Sequence, residues 1–97
     1  MSAPLPREQR VPAIRVALER ALTPLQLEIE DQSHLHAGHA GARDGRGHFK
    51  VSIVSEAFEG LSPIARHRAV YAALGTLMDT DIHALSISAR TPTEASR

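Results

Sequence analysis

The chain has 97 residues, enough for one domain with a small hydrophobic core. Its 11 Lys and Arg residues balance 11 Asp and Glu residues, which excludes a histone-like polycation but leaves room for a local basic patch. There is no cysteine, so disulfides, zinc ribbons and a cysteine nucleophile are excluded. Six histidines are the unusual feature of the composition.

Targeting and catalytic motifs are not found in the sequence. The first residues contain no apolar leader segment, and no apolar run reaches the ~18 residues typical of a membrane span. We therefore expect a cytoplasmic protein that does not contact a membrane. No spacing of Ser, His and Asp suggests a catalytic triad or a nucleophile elbow, so we expect no enzyme activity.

Helical periodicity predicts the beginning of the domain. We expect residues 1–10 to form a flexible N-terminal segment and residues 11–97 to form a single domain. Residues 11–22 carry apolar side chains at three- and four-residue spacing, which predicts a helix with Pro12 in its first turn. Thr23 and Pro24 are expected to end it.

Three segments are predicted to be strands. Residues 25–30 alternate between apolar and polar side chains, as a strand with one buried face does. Residues 49–55 carry apolar groups on both faces and predict a central strand. Residues 82–88 form the third strand, and alternation places His83 on the same face as Leu85 and Ile87.

The connections complete an α+β fold. Residues 33–47 predict a long glycine-rich loop, a kind that is usually functional or disordered in compact domains. Residues 58–60 predict a connector or one helical turn. Ser62 and Pro63 predict the start of a helix that runs to Met78. The predicted element order is α-β-β-α-α-β, a three-stranded sheet with helices on one face and a short C-terminal helix after Thr91.

Five short motifs stand in a fixed order along the chain. They are His48-Phe49, Phe58-Glu59-Gly60-Leu61-Ser62-Pro63, Arg66-His67-Arg68 with Val70-Tyr71, Ile82-His83-Ala84-Leu85 and Thr91-Pro92-Thr93-Glu94. Together they cover roughly residues 11–95 and resemble the BolA family. The resemblance implies a class II KH-like fold.

The resemblance implies a role in iron–sulfur metabolism. Members of the family pair with a monothiol (CGFS) glutaredoxin as a heterodimer and share a [2Fe–2S] cluster with it and with glutathione. The implied ligands are His83 in the third strand and His36 in the loop, with His34 and His39 as alternatives to His36. The isolated chain is then expected to hold no cofactor and to be a monomer or a weak homodimer.

The resemblance also implies an alternative function, a DNA-binding transcriptional regulator of morphology and stress responses. The nucleic-acid KH fold uses a Gly-x-x-Gly loop between its helices, and residues 60–63 lack the second glycine, so RNA clamping of that type is not expected. The candidate phosphate contacts are Arg66, Arg68, Lys50, Arg43 and Arg46.

Simpler interpretations of the histidines also stand. His83 could be a half-buried histidine bonded to a backbone carbonyl, and the loop histidines could be solvated or bind Zn²⁺ adventitiously. A plain metal-buffering protein is therefore a third hypothesis. We expect His48 to anchor the end of the loop and His67 to be buried on the inner face of its helix. Arg66 and Arg68 are expected to point outward.

Overall fold

The computed structural model describes residues 4–33 and 46–96 and confirms the α+β fold. None of the helices in this part of the chain is long and apolar enough to cross a membrane. In chain order the elements are α1 (Arg7–Leu22), β1 (Gln26–Asp31), β2 (Gly47–Val54), a 3-10 turn (Glu56–Phe58), α2 (Pro63–Leu74), α3 (Leu77–Thr80), β3 (Ile82–Arg90) and α4 (Pro92–Ala95).

The sheet has the strand order β1-β2-β3, so β2 is central, as its two apolar faces predicted. β1 pairs with β2 antiparallel, and β2 pairs with β3 parallel. The α1 and α2 helices pack against each other and cover one face of the sheet, and no helix of residues 4–33 and 46–96 covers the other face. The buried core residues are Ile14, Leu18, Leu22, Phe49, Val51, Ile53, Phe58, Val70, Leu74 and Ile82.

The first helix begins at Arg7, earlier than predicted, so residues 7–10 belong to α1. Pro12 therefore lies inside the helix and not in its first turn. A proline at this position removes one backbone hydrogen bond. The beginning of α1 is held by a hydrogen bond from Arg10 to the carboxylate of Asp81. Asp81 lies 71 residues further along the chain, so local sequence patterns could not predict this contact. The helix ends at Leu22 as predicted, with Thr23 in the left-handed region at φ 40°.

The second long helix ends at Leu74, earlier than the predicted Met78. Gly75 has a φ of 54° and a ψ of −128°, a conformation that side chains of L-residues rarely adopt. The apolar periodicity continues past this glycine because Leu77 and Met78 lie in α3 and pack against the same core. Periodicity alone therefore merged two helices into one. The start was correct, since the Ser62 hydroxyl accepts a hydrogen bond from the Ala65 amide at 3.2 Å.

A buried carboxylate ties the beginning of α1 to the beginning of β3. Asp81 is 1 % exposed, and its Oδ1 atom accepts from Nε of Arg10 at 3.2 Å and from the Leu5 amide at 2.6 Å. Its Oδ2 atom accepts from the Thr80 hydroxyl at 2.6 Å. Its carbonyl accepts from the Gly47 amide at 2.8 Å, which fixes the start of β2 as well. Three elements therefore meet at Asp81.

Gly47, the first residue of β2, is surrounded too closely for a side chain. A Cβ atom there would lie 2.7 Å from the Phe49 ring and 2.8 Å from the hydroxyl of Ser33. We expect Gly47→Ala to lower the free energy of unfolding by about 1–3 kcal/mol, because the buried ring must shift to admit the methyl group. Chemical denaturation measures this loss. Gly60 is exposed, but its φ of 77° would strain any residue with a side chain, so Gly60→Ala is not a suitable control. Ala72→Gly at an exposed position of α2 is used instead, to measure how much a glycine–alanine exchange costs without steric overlap.

Candidate metal-ligand site

His83 does not lie on the face that alternation predicted. Gly47 pairs with Ile82, but His48 pairs with Ala84, so β3 contains one more residue than β2 at this step. The extra residue is a β-bulge, which is rare between parallel strands and frequently re-aims a side chain beside a functional site. The core side chain Ile82 is 1 % exposed, whereas His83 and Ala84 are both exposed. The bulge thus turns His83 away from Leu85 and onto the open face.

Two side chains contact His83, one from the residue just before β2 and one from the start of β2. The ring of His48 lies 5.2 Å from the His83 ring, centroid to centroid, with the ring planes tilted by 39°. The Nη2 atom of Arg46 lies 3.2 Å from Nδ1 of His83. His48 is buried, and its amide donates to the Ser33 hydroxyl at 3.1 Å, which agrees with its predicted role at the end of the loop. The residues Arg46, His48 and His83 are called the histidine pair site below.

The predicted loop ligands His36, His34 and His39, and the predicted phosphate contact Arg43, lie outside the described residues. Within residues 4–33 and 46–96, no group of three or more His, Cys, Asp and Glu side chains could hold a metal ion. The described part of the site therefore supplies imidazole from His83 on a fixed strand, with His48 and Arg46 beside it. Sequence analysis did not predict these two neighbours, because the bulge that brings them together leaves no mark on the alternation pattern.

The prediction that His67 is buried was wrong. It lies on the exposed face of α2, together with Ile64, which is 64 % exposed, and Tyr71, which is 42 % exposed. The buried stripe of α2 is narrower than predicted and contains Val70 and Leu74. Ala69 and Ala73 are partly buried and pack against the core beside this stripe.

The prediction that Arg66 points outward was also wrong. Its guanidinium forms a two-bond ion pair with Glu94, with distances of 2.6 Å and 3.0 Å. It also donates to the carbonyls of Leu61 and Ala89. Arg66 therefore holds α4 against the N-terminal end of α2 and the end of β3. Arg68 is exposed as predicted, and Lys50 on β2 is exposed as well. Four hydrogen bonds from Arg66 thus go to groups within the fold, which leaves its side chain few donors for a phosphate in the DNA-binding alternative.

The ion pair between Arg66 and Glu94 makes the free energy of unfolding depend on pH in the acid range. The hydrogen bonds from Arg66, and then the backbone amide of Thr91, lower the pKa of Glu94 from 4.5 to about 2. A carboxylate with a lowered pKa stabilises the fold above its unfolded pKa, and this contribution is lost as pH falls through the folded pKa. We expect Glu94→Gln to remove part of the stability loss seen between about pH 5 and about pH 2. Urea denaturation across that range measures it, and the exposed Glu28→Gln on β1 is the control.

The comparisons with known proteins decide the family. The model of the family described as "BolA-like protein" matches residues 18–94, most of the chain. The chain belongs to the BolA family. The resemblance found in the sequence motifs is thereby confirmed, and the helices and sheet described above are the family's fold.

BolA-family relatives are similar over most of this chain. It is 47 % identical over 91 residues to the chloroplastic BOLA1 protein of Arabidopsis thaliana, which covers 91 % of this chain and 57 % of that protein. It is 49 % identical over 82 residues to human BolA-like protein 1, covering 84 % of this chain and 58 % of that protein. The solved BolA domain of SufE1 from Arabidopsis thaliana superposes with a TM-score of 0.76 at 43 % identity, covering 93 % of this chain and 98 % of that domain.

The chain spans a little over half the length of the plant and human relatives, 57 % and 58 %. In one relative, the BolA domain is part of a SufE-like protein. Membership of this family is consistent with an iron–sulfur-related function.

Proposed function

We propose that this BolA-family chain is the partner of a monothiol glutaredoxin and that the two proteins share a [2Fe–2S] cluster as cargo. The observation that supports this most is the position of His83. It is at the start of β3, an edge strand, and the bulge turns its ring onto the face of the sheet that the helices leave open. A partner could reach this imidazole without disturbing the core.

The donor atoms of the two proteins complement each other. A [2Fe–2S] cluster is usually held by thiolates, and imidazole can replace them on one of the two irons, which raises the reduction potential. This chain has no cysteine and therefore no thiolate to give, so the ligands proposed from it are histidine imidazoles. In the proposal, glutaredoxin cysteine and glutathione hold one iron, and His83 and His36 hold the other. His34 and His39 are the alternatives to His36.

The role of the strand is to hold one ligand in place before the cluster arrives. A ring on a packed strand keeps its orientation better than a ring on a loop, so less freedom is lost on binding. His48 contributes because its buried ring lies against His83 and limits the positions of that ring. In metal sites, neighbours of this kind orient the ligand and commonly change metal affinity 10- to 100-fold when removed, by order of magnitude.

Anaerobic reconstitution tests the proposed function. A CGFS glutaredoxin, glutathione, iron and sulfide are mixed with increasing amounts of this protein, and visible circular dichroism is recorded. We expect a new spectrum that saturates at one copy of this chain per glutaredoxin, because each cluster accepts one partner. A glutaredoxin spectrum that stays unchanged at every ratio would contradict the proposal. Ovalbumin, or another protein without a BolA domain, added at the same concentrations controls for non-specific effects.

A further inference from the structure

The contact between Arg46 and His83 selects one tautomer of the neutral histidine ring. A guanidinium group has only donors and stays charged in proteins, so Arg46 must donate and Nδ1 of His83 must accept. A ring nitrogen that accepts carries no proton. In the neutral ring, the proton is therefore on Nε2.

Neither ring nitrogen can bind iron in this arrangement. Ligation needs an unprotonated nitrogen with a lone pair directed at the metal. The Nδ1 lone pair is directed at Arg46, and Nε2 holds the proton. For Nδ1 to bind, Arg46 must move away. For Nε2 to bind, its proton must pass to water while Nδ1 takes a proton from water, and a protonated Nδ1 can no longer accept from Arg46. Both routes break the same hydrogen bond.

We propose that Arg46 is a latch that competes with the cluster for His83, so that release of Arg46 is an obligatory step of cluster uptake. The inference rests on the proposed function for its biological meaning, because His83 is the ligand that the latch controls. The physical competition does not depend on glutaredoxin, since it applies to any metal ion that binds His83. Arg46 is thus a positioning residue and not a ligand.

Co²⁺ provides a test without the partner. We expect Arg46→Met to tighten binding of Co²⁺ to His83 about two- to tenfold, the range that corresponds to the loss of one competing hydrogen bond. NMR titration followed at the ring protons of His83 reports that site separately from the other histidines. A second NMR readout is the ¹⁵N resonance of His83 Nδ1, which we expect to shift on Arg46→Met because the nitrogen loses its donor.

Two controls separate the hydrogen bond from simple charge. Arg20→Met removes the same charge from the exposed surface of α1, on the helical side of the sheet, and is expected to change neither readout. The second control is salt, since the Debye length falls to ~3 Å at about 1 M ionic strength and charge repulsion is then largely screened. We expect the tighter Co²⁺ binding of Arg46→Met to persist there.

The outcomes distinguish the latch from the proposed function. An unchanged or weaker Co²⁺ affinity at His83 in Arg46→Met, with no shift of Nδ1, would overturn the latch, even if a shared cluster forms with glutaredoxin. Tighter Co²⁺ binding together with the Nδ1 shift would support the latch, even if no shared cluster forms. With both results positive, Arg46→Met is expected to take up the shared cluster at a lower glutaredoxin concentration than the wild type.

Discussion

Asp81→Ala is expected to lower the free energy of unfolding by about 3–5 kcal/mol, because it leaves the guanidinium of Arg10 buried without its carboxylate. Arg10 is 5 % exposed, and Asp81 is 1 % exposed, so water cannot replace the missing partner at low cost. The change also removes the acceptor of the Leu5 amide and one of the two acceptors of the Thr80 hydroxyl. A domain of this size has a total stability of about 5–15 kcal/mol, so the loss is a large share of it.

Urea denaturation followed by far-UV circular dichroism measures this loss. Asp79→Ala is the matched control, because Asp79 is an exposed carboxylate in α3, the short helix that ends just before Asp81. Its replacement is expected to cost less than about 0.5 kcal/mol. If Asp81→Ala and Asp79→Ala cost the same, the buried ion pair would not hold α1 to β3. Arg10→Met combined with Asp81→Leu should recover much of the stability, because an apolar pair leaves no buried charge.

His83→Ala is expected to abolish the circular dichroism spectrum of the shared cluster. Removal of neighbours that merely orient a ligand already costs roughly 10- to 100-fold in metal affinity, so loss of the ligand itself should cost more. The heterodimer is then expected to lose its cluster or return it to the glutaredoxin homodimer. His36→Ala should weaken the spectrum as well if His36 is the second ligand. The same changes in His34 and His39 identify the alternative.

His67→Ala is the matched control for the histidine variants. His67 is an exposed imidazole on α2 and lies outside the histidine pair site, so its loss should leave the cluster spectrum unchanged. Far-UV circular dichroism and thermal unfolding of each variant check that the fold is intact, which is expected because the His83 side chain is exposed and leaves no cavity. Equal loss of the spectrum in His67→Ala and His83→Ala would contradict a specific role of His83.

The fold could be predicted from local patterns wherever local chemistry decides it. Alternation in residues 25–30, the two apolar faces of β2, the Ser62 cap and the Thr91 cap all lie within a few residues of the structure that they specify. The errors at the two helix ends have another cause. The start of α1 depends on Asp81, far along the chain, and Gly75 interrupts a hydrophobic pattern that continues on the other side of it.

The site could be predicted only in part, because its geometry also depends on contacts between residues far apart in the chain. The motif that includes His83 made this residue a candidate ligand, but alternation gave it the wrong face because the bulge is set by the pairing of β3 with β2. Arg46 and His48 were noted for other roles, and their contact with His83 depends on that pairing. The inward role of Arg66 depends on Glu94, 28 residues later, and no local signal reports it.

Pulsed EPR of the reduced heterodimer cluster is the most direct measurement of the central claim, that histidine of this chain binds iron. The chain is labelled with ¹⁵N-histidine, glutaredoxin is left unlabelled, and the nitrogen hyperfine couplings are compared with those of the unlabelled complex. We predict imidazole couplings that change with the isotope of this chain and that are lost in His83→Ala. Couplings that are the same with both isotopes would show that no histidine of this chain binds the cluster.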